Sequence, residues 1–444
     1  MNKKQENKAF CIAPWTHTFI SPQSERRLCC ASREEFQFAR QYLDSNFQSN
    51  NFTQSHYEPV TLEEYWNGDF IKSIRKKMLK GEVPDECSVC HEKELTLSTY
   101  QDYFTNDLFP HLIEEAIQNT KEDGSTTLMP RSFDYRFDNT CNFSCRMCGD
   151  QLSSRWEKEK INHNLWNLKD DPWLEPELNH KIKDFQSNVV KAEFNRALMN
   201  NQIEEIYWVG GEPLLWDIHW KSMSYLVSSG NADNTIIRYN TNLSKIHYDG
   251  MNLFDDLLIH FKKVILLVSI DGSGEIGEYI RTGLNWKKWK GYLQEAKQCS
   301  LKNKNIELAL DITLTLPGLF SLKEMILLAN ELEIPIYPKL VYAFDPTIIL
   351  SPLSLPRDLL NNLLNELIKF NILHLSDYTK GMLELLIDIK QRKTHEEKYP
   401  NDFQSGREQG KKKLLQIESI RKDSFTLESI LSANPQILNW WRSI

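Results

Sequence analysis

Lys263-Val264-Ile265-Leu266-Leu267-Val268-Ser269-Ile270 carries five successive apolar residues, so both faces of an extended chain would be apolar. A strand covered on both sides has that pattern, whereas a strand with one wet face alternates. The stretch therefore reads as a buried strand of a parallel sheet. Working outward, five more short runs resemble it in length: Ser132–Asp138, Glu204–Val209 and Thr235–Asn240 before it, Ile306–Thr315 and Pro335–Tyr342 after it. Helical patterns such as Trp286–Gln298 and Leu322–Glu333 fill the gaps. Six strands with crossovers of helical length predict an α/β fold. Right-handed crossovers would curl the sheet into a partial (β/α)6 TIM-like barrel, with its chemistry at the C-terminal strand ends.

The flanks differ in texture. Residues 1–128 form an expected cysteine-rich domain, with a loop at Gln48–Glu58, a short helix at Ile71–Leu79 and a closing linker at Lys121–Thr126. The barrel is expected over 129–350. Its first crossover, Asp150 to Gln202, is long and carries Trp156, Trp166 and Trp173, read as surface helices packing by their aromatics. A proline-rich connector, Pro346 to Pro356, leads into a helical extension over 351–444, with helices at Arg357–Phe370, Tyr378–Gln391 and Lys411–Arg421. The basic residues Lys411–Lys413, Arg421 and Lys422 read as a solvated helix face.

Bulk properties exclude some function classes. With 444 residues, 41% hydrophobic and 26% charged, the chain is long enough for two or three domains around a large core. A net charge of −8 argues against a general nucleic-acid binder. No segment approaches the ~18 uninterrupted apolar residues of a membrane span. The polar start Met1–Glu6 does not read as a signal peptide, so the expectation is a cytoplasmic protein without membrane partners. In such a chain, clustered cysteines mean metal or redox sites more often than disulfides. Of nine cysteines, Cys141, Cys145 and Cys148 form one group and Cys11, Cys29, Cys30, Cys87 and Cys90 another. Cys299 stands alone and reads as a small buried apolar residue.

Cys141-Asn142-Phe143-Ser144-Cys145-Arg146-Met147-Cys148 follows the first barrel strand. Three thiols at this spacing suit three corners of an iron–sulfur cube and leave one iron open. Structural zinc is the rival, but it takes four ligands, and Asp150 is a poor fourth. With this motif the six-strand core resembles the radical S-adenosylmethionine (radical SAM) superfamily. The resemblance implies that Cys141, Cys145 and Cys148 hold a [4Fe–4S] cluster. Its open iron would be chelated by the amino and carboxylate groups of S-adenosylmethionine, whose reductive cleavage yields a 5′-deoxyadenosyl radical that takes hydrogen from a substrate. Met147 would lie near the adenine, where the family more often has an aromatic residue. Gly210-Gly211-Glu212-Pro213, after the second strand, resembles the family's turn around the amino group of S-adenosylmethionine. Asn240 and Asn242, at the end of the third strand, resemble ribose-facing positions, and Ser269 and Asp271 resemble further contacts to the cofactor. Arg281 would pair with the cofactor carboxylate. Gly272-Ser273-Gly274-Glu275-Ile276-Gly277 matches a dinucleotide fingerprint, but it follows the fourth strand and not the first of a Rossmann unit.

The upstream cysteines resemble the pieces of SPASM and twitch auxiliary-cluster domains, which in better-known members follow the barrel rather than precede it. The resemblance implies an auxiliary [4Fe–4S] cluster on Cys11, Cys87, Cys90 and one of Cys29 or Cys30, with zinc as the alternative. His17 and His91, near in sequence, read as structural. The implied activity is radical modification of a peptide or natural product, fed by a one-electron donor such as flavodoxin or ferredoxin. A sugar or aminocyclitol dehydrogenase and a non-catalytic metal-binding adaptor are the alternatives. No acid, base or hydrogen donor can be assigned. Arg136, Asp311 and Lys339 lie on strands where they would face the lumen or bind one another.

Overall fold

A computed structural model describes residues 7–33, 59–92, 99–168, 170–341 and 345–444. The polar start, the loop expected at Gln48–Glu58 and the last residue of the expected sixth strand, Tyr342, lie outside the described residues.

The fold is α/β, built on a mostly parallel eight-stranded sheet. Its strands are β1 (His17–Ile20), β2 (Arg26–Arg27), β3 (Ser132–Tyr135), β4 (Glu205–Trp208), β5 (Ile236–Thr241), β8 (Lys263–Ser269), β9 (Ile306–Leu314) and β10 (Ile336–Leu340), with the small hairpin β6 (His247–Tyr248) and β7 (Met251–Asn252) apart. The order across the sheet is β10-β9-β8-β5-β4-β3-β1-β2. All six strand runs read from the sequence are present, within a few residues of their expected ends. In β8, Val264, Leu266 and Val268 are buried, while Lys263, Ile265, Leu267 and Ser269 are half-buried. One face is thus packed throughout, and the other is apolar but more open.

The N-terminal region adds strands that periodicity could not reveal. β1 pairs in parallel with β3, matching His17 to Ser132 and Phe19 to Asp134, and β2 pairs antiparallel to β1. At four and two residues these runs are too short for a period of two to register. Asp69–Leu79, Trp286–Lys302, Leu322–Leu332, Arg357–Leu373 and Lys380–Gln391 are helices close to their expected bounds, whereas the helix expected at Lys411–Arg421 begins earlier and runs Phe403–Arg421. Local chemistry sets their ends. Asn285 caps Trp286–Lys302 by accepting from the Lys288 amide at 2.9 Å. Lys422, in the left-handed region, ends Phe403–Arg421. Among the described residues, no helix is long and apolar enough to cross a membrane.

The chain divides into two compact units. The first comprises Met1–Thr140, Asp150–Arg238 and His260–Lys262; the second comprises Cys141–Gly149, Tyr239–Ile259 and Lys263–Ile444. The first unit has a core of its own in the N-terminal region, where Phe10, Ile12, Trp15, Ile71, Ile74, Phe104 and Phe109 pack together, with Cys11, Cys29 and Cys87 against them. Arg75 crosses this core fully buried, donating from Nε to the Pro14 carbonyl at 2.9 Å with its guanidinium over the Trp66 ring.

Candidate functional site

In the second unit the cysteine loop is held by main-chain bonds to a neighbouring segment. The amides of Ser144 and Arg146 donate to the carbonyls of Thr282 and Ile280 at 2.9 and 2.8 Å. Arg146 reinforces this with its buried side chain, which lies 3.7 Å over the Tyr279 ring, donates to Thr282 Oγ1 at 2.8 Å and to the Tyr279 carbonyl, and pairs with Asp423. The loop therefore has a fixed backbone from which its thiols project. Cys145 is buried, Cys141 and Cys148 half-buried, and Met147 between them half-buried. Burial pushes the Cys145 thiol up to about 12, against the pull of the Arg281 charge. Arg281 Nη1 lies 4.0 Å from Cys145 Sγ, and Asn242 Nδ2 lies 3.9 Å from Cys141 Sγ.

The polar residues expected around this loop join one network. Arg281 Nε sits 2.5 Å from Asp271 Oδ2, and Asp271 Oδ1 accepts from the Thr313 amide at 2.8 Å. Burial pulls the Arg281 pKa down, but the charges of Asp271 and Cys145 drive it up further, so the guanidinium stays cationic. Asp311, which the sequence offered only as a lumen candidate, is the hub of a second cluster. Its Oδ2 accepts from Asn240 Nδ2 at 2.7 Å, Lys339 Nζ at 2.8 Å and Ser269 Oγ at 3.4 Å. Three strands, β5, β8 and β10, thus aim polar groups at one carboxylate on β9. Glycine-rich Gly272–Gly277 leads into the helix Gly274–Ile280, and Gly277 packs back on its start: a Cβ there would fall 2.3 Å from the Gly272 carbonyl oxygen.

In the first unit, Gly210–Pro213 packs on Asn139 and Thr140, the residues just before the cysteine loop. Gly211 has φ +37°, and a Cβ there would lie 2.5 Å from the Thr140 carbonyl oxygen. The Glu212 amide donates to that same oxygen at 2.7 Å. Glu212 itself is fully buried and accepts from the Leu214 amide at 3.0 Å, so its carboxylate holds the turn. Asp150, the weak candidate for a fourth ligand, is engaged by Lys160 Nζ at 2.6 Å and Trp173 Nε1 at 2.6 Å. Arg136 grips Asp134 with two bonds, at 3.0 and 3.2 Å.

The five upstream cysteines separate. Cys11, Cys29, Cys87 and Cys90 line one cavity of about 30 Å³, with His91, Tyr100 and Phe104. Burial raises the Cys11 thiol to about 12 and Cys29 in the same direction. Cys30 is outside that lining. Burial raises it too, and the nearby groups acting on it are Asp134, Arg136, Tyr100 and Arg238. His17 is buried within hydrogen-bond reach of Ser132, away from the cavity lining.

Among the described residues, no three His, Cys, Asp or Glu side chains stand in a metal-holding array. The donor chemistry nonetheless fits a soft metal or cluster in both places: three thiols on one anchored loop with N–H donors 3.9 and 4.0 Å from two sulfurs, and four thiols on one cavity wall. Binding would have to take protons from thiols whose pKa burial has raised, so affinity would rise with pH. Sequence reasoning missed Arg146, Asp423 and the central place of Asp311, because their partners lie far along the chain and no local spacing announces them. No family model matches this chain, and no curated protein matches it.

Proposed function

We propose that the chain is a radical SAM enzyme whose sheet curls into a partial barrel. The observation that carries this is the anchored loop of Cys141, Cys145 and Cys148, with the Arg281 cation 4.0 Å from Cys145 Sγ. When bound, a [4Fe–4S] cluster on these thiols supplies one electron for reductive cleavage of S-adenosylmethionine, and with it a radical that takes hydrogen from an organic substrate. The protein's own residues bind and orient. Arg281 and Asn242 offer N–H groups and Arg281 positive charge to the sulfurs, which favours the thiolate over the thiol. Asn240, Ser269, Asp311 and Lys339 form a hydrogen-bonding wall suited to hydroxyl groups such as those of a ribose. Met147 supplies an apolar contact for a planar base. The Gly210–Gly211 turn packs closely on Arg136 and Thr140, which sets its backbone beside the start of the cysteine loop.

The N-terminal cavity would hold an auxiliary [4Fe–4S] cluster on Cys11, Cys29, Cys87 and Cys90. Its volume of about 30 Å³ favours a second reading, a single zinc ion on four thiolates. The substrate is a peptide or other natural product, with a sugar or aminocyclitol as the alternative. The electron comes from a flavodoxin or ferredoxin, and the protein works in the cytoplasm.

The deciding experiment measures iron, acid-labile sulfide and zinc per chain after anaerobic reconstitution, in the wild type and in a Cys141/Cys145/Cys148→Ala variant. About eight irons falling to about four is the expected result. About four irons with one zinc, and no iron in the variant, would assign zinc to the N-terminal site. Zinc alone would refute the radical SAM assignment and leave a metal-binding adaptor. Cys29→Ser should lose the N-terminal metal, whereas Cys30→Ser should keep it.

A further inference from the structure

The first unit holds a buried polar cluster that the cysteine chemistry does not use. Ser132 on β3, Glu205 and Tyr207 on β4 and Arg238 on β5 come together with Tyr100, Tyr103 and His17. Glu205 is satisfied without Arg238: Oε1 accepts from Tyr103 OH at 2.6 Å and Oε2 from Ser132 Oγ. Ser132 has one proton and gives it to the carboxylate. His17 Nδ1, 2.7 Å from Ser132 Oγ, must then be the donor of that bond, which leaves His17 Nε2 with a lone pair. That lone pair is buried and finds no partner.

Arg238 is the second exception. It is only 9% exposed, yet its guanidinium donates no hydrogen bond to any described residue. It lies 3.8 Å over the Tyr207 ring and 4.5 Å over Tyr103, and its Nε stands 3.5 Å from Glu205 Oε1. The rings fix the plane of the fork without consuming its N–H groups. A guanidinium has five donors; the buried Nε has only this long ion pair, and no Nη group donates to a described residue. The second arginine near the cluster, Arg136, already makes two hydrogen bonds to Asp134.

We propose that Arg238 is the anchor of an oxyanion subsite, taking a carboxylate or phosphate oxyanion of a ligand on its planar fork, with His17 Nε2 accepting a neighbouring N–H or O–H of the same ligand. A guanidinium ion-paired with Glu205 but donating no hydrogen bond, and an imidazole lone pair without a donor, together describe a ligand that carries an anionic group beside a donor. The subsite stands independently of any iron–sulfur chemistry, because anion binding is read without turnover.

The test is calorimetric titration of the full-length chain with inorganic phosphate and, separately, with acetate, at constant ionic strength held by chloride. The expected result is saturable 1:1 binding of at least one anion. Phosphate alone would point to a phosphorylated ligand and acetate to a carboxylate. Arg238→Gln should abolish the saturable heat. Arg238→Lys keeps the charge but not the fork and should weaken binding about tenfold. That variant also guards against loss of binding through misfolding, as does the far-UV circular dichroism of both. The proposal is overturned if neither anion binds saturably to the wild type, if folded Arg238→Gln binds as the wild type does, or if Arg238→Lys binds with unchanged affinity.

Discussion

Arg146→Ala should release the cysteine loop from its anchor. The wild-type side chain is 1% exposed and its partner Asp423 is 17% exposed. Truncation deletes the ion pair, the bonds to Thr282 Oγ1 and the Tyr279 carbonyl, and the stacking on Tyr279. Removing one partner of a buried pair costs about 3–5 kcal/mol. Asp423 keeps some contact with water, which places the pair near the low end, and the lost cation–π contact adds about 1 kcal/mol. A local cost of about 3–4 kcal/mol is a factor of more than about 100 in an opening equilibrium, at 1.4 kcal/mol per tenfold. Hydrogen exchange reads this directly, because the amides at positions 144 and 146 are the ones bonded to Thr282 and Ile280. Their protection should fall by at least about 100-fold in Arg146→Ala. A double-mutant cycle with Asp423→Ala should give a coupling of about 2 kcal/mol or more. Protection lowered less than about threefold, or a coupling below about 0.5 kcal/mol, would mean that the main chain alone holds the loop.

Gly211→Ala should cost about 2 kcal/mol or more, because the new methyl meets a backbone oxygen at 2.5 Å in a left-handed conformation; a wild-type urea midpoint would contradict this. Arg281→Leu should cost about 3–5 kcal/mol by stranding the fully buried Asp271 carboxylate, and Arg281→Leu/Asp271→Leu should recover most of the loss. His17 is shifted by burial first and by the Arg238 and Arg136 charges next, from 6.5 to about 3. The unfolded chain therefore binds the proton that the folded one refuses between those values. This part of the stability is complete above pH 6.5 and is lost as pH falls towards about 3, at about 1.4 kcal/mol per pH unit. His17→Gln should flatten the acid limb by that slope, and equal slopes in the two proteins would exclude the buried neutral imidazole.

Features with a short repeat were legible in the sequence. Val264 to Val268 announced a strand of the sheet because neither face carries a polar residue there, although Ile265 and Leu267 are only half-buried. The spacing of Trp289, Leu293 and Ala296 announced one buried helix face. The cysteine spacing was equally plain, since all three thiols lie within eight residues. What stayed hidden depends on partners remote in the chain. Arg146 finds Asp423 across 277 positions. No local pattern distinguishes such a charge from a solvated one. β1 was hidden for another reason: its four residues gain their stability from pairing with β3, and extended propensity contributes little at that length.

The pair Cys29-Cys30 shows where sequence reasoning must stop. Two adjacent thiols are equivalent in any spacing rule, and arithmetic alone calls one of them spare. Folding separates them by surroundings. Cys29 lines an apolar cavity with three other thiols, where a cation would be shielded from water and the thiolates would supply the compensating charge. Cys30 meets Asp134 and two guanidiniums, Arg136 and Arg238, the latter without a hydrogen-bonded partner. A cation placed there would face two guanidiniums, and the carboxylates nearby, Asp134 and Glu205, are already paired with them. The electrostatics that make this cluster a poor metal site are the same that suit it to an anion, so one dipeptide borders two sites of opposite charge preference. Exchanging Cys29 and Cys30 for serine one at a time separates the two, since metal content should follow the first and anion affinity should be indifferent to it.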